Sequence, residues 1–113
     1  MKRHILKIRE IDKAFFDVIK DGRKTIETRA ATPQYRKIER GDMLIFRCGK
    51  QEIEKKVKET YLFESVDELL NRFDLSDIMP HISSKDEAKK AWHSFPNYQE
   101  KISKHGLIAW ILE

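Results

Sequence analysis

The closing hexapeptide constrains the fold of this chain more than any other segment. Leu107-Ile108-Ala109-Trp110-Ile111-Leu112 is apolar at every position and follows Gly106. A run that short suits a strand buried on both faces better than a helix. Such a strand needs partners on both edges and a covering layer on each face, and the rest of the chain offers both. His4-Ile5-Leu6-Lys7-Ile8 reads as a short strand with Leu6 and Ile8 on one face. Ile11, Ala14, Phe15, Val18 and Ile19 make the stripe of an amphipathic helix, and Gly22 is placed to end it in a left-handed conformation. Arg23 to Arg29 turns to β-branched chemistry through Thr25, Ile26 and Thr28. Ala30 to Arg40 reads as an irregular polar connection containing Pro33 and Tyr35. Met43 to Cys48 and Glu52 to Tyr61 form a hairpin around Gly49-Lys50-Gln51, with Ile53, Val57 and Tyr61 on one face.

The final third is helical before the closing strand. Ser65-Val66-Asp67-Glu68 and Ser84-Lys85-Asp86-Glu87 are two capping boxes, each opening an apolar-periodic helix. Asp74 to Met79 and Tyr98 to Lys104 add shorter helical pieces around Pro80 and Pro96. The order β-α-β-β-β-α-α-β, with strands at both ends, predicts an α+β domain. Its sheet should curl into a small mixed β-barrel of about five to six strands flanked by helices. Phe15, Ile45, Trp92 and Trp110 are the expected buried anchors.

Length and composition narrow the function classes. The 113 residues fit one domain, 1–113. Six Phe, three Tyr and two Trp anchor a core despite a charged fraction of 37%. No apolar run reaches the ~18–20 residues of a membrane span, and charged residues break the N-terminal segment too early for a signal peptide. A single cysteine, Cys48, excludes a disulfide framework, so a cytoplasmic location is expected. His4, His81, His93 and His105 lack ligand spacing, so neither a metal nor any other cofactor is expected. Residues 1–50 carry 14 Lys/Arg against 7 Asp/Glu, and residues 51–113 carry 9 against 12. The basic half suggests an anionic partner.

The densest chemistry is Gly22-Arg23-Lys24-Thr25-Ile26-Glu27-Thr28-Arg29. On a strand, Thr25, Glu27 and Arg29 share one face, and Lys24 at its start can bend to either side. If the Glu27 face lines a cavity, the carboxylate can position Lys24 and Arg29 for a phosphate or a carbonyl. The plainer alternative is a solvated strand with an ion pair worth ~0–1 kcal/mol.

Gly22-x-Lys24-x-x-Glu27-x-Arg29 resembles the Gly-x-Lys-x-x-Glu-x-Arg motif of the ASCH (activating signal cointegrator homology) domain, a relative of the PUA-like folds. The preceding helix, Gly41-Asp42 before a strand, and the Gly106–Leu112 ending extend the likeness. So does Ala91-Trp92-His93-Ser94-Phe95-Pro96-Asn97-Tyr98, similar to the aromatic-proline turn of small prokaryotic members. The resemblance implies a barrel with a cleft beside the motif strand that takes RNA or a nucleotide-like ligand. Lys24 and Arg29 would meet phosphate, and Glu27 would orient them or accept from a base or ribose. Tyr35 could stack, Arg47 could extend the basic surface, and His105 could hydrogen-bond at the cleft mouth. Some small bacterial members hydrolyse acetylcytidine, using a motif lysine, a threonine three residues later and a glutamate from the helical segment. The lysine falls on Lys24, the threonine position is Glu27, and no carboxylate stands near Pro80-His81. Hydrolysis of a modified nucleoside or of RNA, with Lys24 and Glu27 as catalytic groups, is the alternative expectation. A third is a protein-interaction surface on the acidic stretch Glu64 to Asp77.

Overall fold

The computed structural model describes residues 1–113. Five strands, β1 (Arg3–Lys7), β2 (Ile26–Ala30), β3 (Met43–Cys48), β4 (Gln51–Phe63) and β5 (Leu107–Leu112), form one mixed sheet in the order β1-β3-β4-β5-β2. β1 runs parallel to β3, and every other pair is antiparallel. The helices are α1 (Lys13–Lys20), α2 (Pro33–Arg36), α3 (Val66–Arg72), α4 (Leu75–Ile78), α5 (Lys85–Ser94) and α6 (Tyr98–His105).

β5 lies between β4 and β2, as its two apolar faces require, and it divides the core in two. Ile108 and Trp110 point into the concave side with Leu6, Phe16, Phe46 and Val57. Leu107 and Ala109 point to the helical side with Ile26, Leu69, Ile78 and Trp92. Both capping boxes open their helices: Ser65 Oγ accepts from the N–H of Glu68, and Ser84 Oγ from that of Glu87, each at 3.1 Å.

Several local expectations are corrected. A 3₁₀ turn over Glu10–Asp12 precedes α1. Its tighter winding changes the helical phase, so Ile11 is 85% exposed and Phe16, not Phe15, is fully buried. Ile53 and Val57 join the concave core, but a bulge between Val57 and Glu59 turns Tyr61 to the helical side. The connection after β2 contains the short helix α2, opened by Pro33 at its first position.

The sheet curls without closing. β1 and β2 have no ladder between them; one side chain crosses the gap, with Arg29 Nη1 donating to the carbonyl of Lys7 at 3.3 Å. Both edge strands, β1 and β2, are only five residues long. The seam between them opens into the cleft described next.

Candidate functional site

Gly22 ends α1 with φ +86°, a value glycine alone adopts without strain. The chain then turns back on the helix, with Lys24 N–H donating to Val18 at 2.9 Å. The next N–H, from Thr25, donates to Asp77 at 2.9 Å, which ties the turn to α4 before β2 begins. This turn carries Lys24 inward, leaving it 3% exposed. Its ammonium donates to the carbonyl of Ile78 at 2.5 Å and lies 3.4 Å from Glu27 Oε1.

Glu27 is buried as well, and both its oxygens are engaged. Oε1 accepts from the N–H of Thr28 at 3.0 Å. Oε2 accepts from Arg29 Nη2 at 3.1 Å and Nε at 3.3 Å. Thr28 faces the other way, where its hydroxyl accepts from Trp92 Nε1 at 3.1 Å and fixes β2 to α5. The result is a Lys24–Glu27–Arg29 triad, buried at Lys24 and Glu27 and partly exposed at Arg29, with one more positive charge than negative.

The electrostatics follow from that count. Burial pushes the Lys24 ammonium below the usual lysine range and outweighs the attraction of Glu27, while Arg29 pushes the same way as burial. Burial alone would raise the Glu27 carboxyl, but the charges of Lys24 and Arg29 and the Thr28 N–H hold it below its ordinary value. Burial opposes the charge on Arg29 too, yet Glu27 keeps its pKa raised.

The triad forms the floor of a cleft of about 170 Å³ at the sheet seam. Phe15, Phe95 and Tyr98 wall it, with Phe95 set edge-on to Phe15 at 5.7 Å and to Tyr98 at 5.1 Å between centroids. Lys7 and Arg9 stand exposed at the rim, where Arg9 Nε donates to Asp12 Oδ2 at 2.7 Å and the Arg9 guanidinium carbon lies 5.7 Å from the Phe95 ring centroid. His81 packs edge-on to Phe15 at 4.5 Å. Its ring is pushed below the usual histidine value by burial and by Lys24 and Arg23.

Of the residues singled out in the sequence, Lys24, Glu27 and Arg29 come together here. Tyr35 does not enter the cleft; it covers the end of the concave core against Trp110, and the Arg29 guanidinium carbon lies 5.7 Å from its ring centroid. Arg47 pairs with Glu52 at 2.5 Å, outside the cleft. His105 ends α6 elsewhere, its carbonyl accepting from Arg36 at 2.7 Å. Sequence reasoning missed Lys7, Arg9 and the wall-forming role of Phe95 and Tyr98. The aromatic-proline turn was the available signal for the last two. No group of three His, Cys, Asp or Glu side chains is arranged to hold a metal ion. No helix is long and apolar enough to cross a membrane.

The ASCH domain profile matches residues 10–112, nearly the whole chain. The chain belongs to the ASCH domain family. Two solved structures resemble it over its full length. The crystal structure of hypothetical protein PH0355 is 30% identical, with 98% of that chain covered and a TM-score of 0.83. The solution structure of protein PF0455 from Pyrococcus furiosus is 28% identical, with 96% of that chain covered and a TM-score of 0.76. No curated protein matches the sequence. The matched span includes Gly22 to Arg29, the turn and strand that build the triad.

Proposed function

We propose that this ASCH domain binds single-stranded RNA, or a nucleotide-like ligand, in the seam cleft. One observation carries the reading: a buried carboxylate and two cations form the floor of an aromatic-walled cleft with further cations at its mouth. A cavity of about 150 Å³ admits a benzene ring, so the 170 Å³ here suits one base. Phe95 and Tyr98 supply the stacking surfaces. Glu27 offers an acceptor and Lys24 a donor to the polar edge of a base. Because Lys24 is spent on Ile78 and Glu27, and Arg9 is paired with Asp12, phosphate falls first to Lys7, which makes no ion pair, and to the outer edge of Arg29, with Arg9 a shared contact. Arg29 suits this role, since its side chain keeps 14% exposure beside Glu27.

The test is equilibrium binding of short single-stranded RNA across a salt series. Each phosphate contact contributes about −0.7 to the slope of log affinity against log salt. Replacing Lys7 by alanine should flatten the slope by about that amount, and replacing Arg9, whose charge Asp12 shares, should flatten it less. Slopes unchanged in both variants would refute the placement of phosphate at the rim.

The lowered pKa of Lys24 favours a second reading, hydrolysis of a modified nucleoside with Lys24 as base or nucleophile. Its difficulty is the rest of the machinery. Glu27 stands where the hydrolytic pattern has a hydroxyl. Asp86 and Glu87 are exposed in the first turn of α5, with Glu87 accepting from Ser83 Oγ at 3.2 Å. Neither lines the cleft.

A further inference from the structure

The seam does not end at the cleft. Lys7 lines the cleft, and its neighbour Leu6 lines a second depression of about 250 Å³ between the free edge of β1 and α2. The two share a wall, because Arg29 of the first lies against Tyr35 of the second. The geometry points to a second subsite there, a track along β1 that takes the sugar-phosphate backbone of an RNA strand whose base occupies the cleft. This rests on the reading of the cleft as a nucleotide site.

Three observations choose this occupant. The groove is lined by Arg3, His4 and Lys37, and no carboxylate lines it. Lys37 is exposed and makes no ion pair, so its charge is available. Arg3 is partly committed to Glu54, but that partner lies across the sheet on β4, outside the groove. The track is also continuous with the proposed site: from Lys7 to Arg3, β1 extends it by about 13 Å at ~3.3 Å per residue. A strand leaving the cleft past Lys7 in that direction therefore meets the unpaired Lys37 and the Glu54-paired Arg3, while His4 is held by Asp42 at 2.9 Å. The surface of α3, outside both depressions, carries Asp67 and Glu68 and repels the RNA.

The experiment compares nucleoside monophosphates with a mixed-sequence single-stranded RNA of about eight nucleotides, a length small binding domains cover, on wild type, Lys37→Ala and Lys37→Glu. Exposure of Lys37 makes both variants compatible with folding. The RNA should bind wild type more tightly than any monophosphate does. Lys37→Ala should weaken the RNA about fivefold at 0.1 M salt, the worth of one contact at a slope of about −0.7. Lys37→Glu should weaken it more, and neither should change monophosphate affinity. Equal affinity for monophosphate and RNA, or an RNA affinity indifferent to both variants, would overturn the track and leave the cleft reading intact. No binding of either probe would overturn the cleft reading itself. An acidic peptide that binds more tightly than the RNA and is lost in Lys37→Glu would assign the edge to strand addition by protein instead.

Discussion

Glu27→Gln removes the only negative charge of the triad and leaves the buried Lys24 ammonium facing the largely buried Arg29 guanidinium. The glutamine amide oxygen still accepts a hydrogen bond from Arg29 or Lys24 but supplies no charge; Lys24 also keeps its bond to Ile78 and Arg29 its bond to Lys7. Removing one partner of a buried ion pair costs about 3–5 kcal/mol, against ~0–1 kcal/mol for an exposed pair. For 113 residues the unfolding entropy is about 0.24 kcal/mol/K, so the melting temperature should fall by roughly 13–21 °C. Lys24→Met should cost less, because the Glu27–Arg29 pair survives it. The pH dependence gives an independent handle. Lys24 has a folded pKa below its unfolded one, so between the two values the unfolded state binds more protons and stability rises with pH. Losing Glu27 lowers the folded value further. The deficit of Glu27→Gln relative to wild type should therefore shrink as pH rises from 7 toward about 10. Thermal and denaturant unfolding at a series of pH values measures it. A deficit of ~1 kcal/mol or less at pH 7, or one that grows with pH, would refute the buried-triad argument.

Asp42 ties down the start of β1: its carboxylate accepts from the backbone N–H groups of Lys2 and Glu39 and lies 2.9 Å from His4 Nε2. Burial pushes it up, but these donors hold it at about 2, so its stabilisation is present above the ordinary value of 3.8 and is lost as pH falls from there through 2. Asp42→Ala should cost about 1.5–3 kcal/mol at neutral pH and flatten the acid-unfolding limb, read by circular dichroism. Gly106 has φ +78° and a position where a Cβ would meet the Phe63 carbonyl oxygen at 2.4 Å. Gly106→Ala should destabilise by at least about 1–3 kcal/mol in the same unfolding assay. Incubation with acetylcytidine, followed by chromatography, should show little or no turnover; robust turnover lost in Lys24→Ala would promote the hydrolase reading.

The elements with strong local signals were legible in the sequence. β5 announced itself by apolar residues on both faces, and Ser65 and Ser84 marked their helix starts because a cap hydrogen bond is made within four residues. What escaped depended on geometry between distant segments. The 3₁₀ turn before α1 exchanged Ile11 for Phe16 in the core. One bulge residue in β4 reversed the face of Tyr61, since strand periodicity does not survive an insertion. The motif identified Lys24, Glu27 and Arg29, but not that Lys24 would be buried against α4, a contact spanning more than fifty residues. Closure of the barrel was expected from the buried last strand. β5 is indeed internal, yet the sheet stays open because its free edges belong to β1 and β2. Arg47 and His105 were selected by charge and by a neighbouring glycine, signals that carry no information about which rim a side chain joins.

Nuclear magnetic resonance titration with a short single-stranded RNA tests the central claim most directly. Binding in the seam cleft should shift the amides of Lys7 to Arg9, Lys24 to Arg29, Phe95 and Tyr98, together with the Trp92 indole N–H that bonds Thr28. Shifts confined to the acidic surface of α3, or none at RNA concentrations well above those that saturate comparable domains, would contradict it.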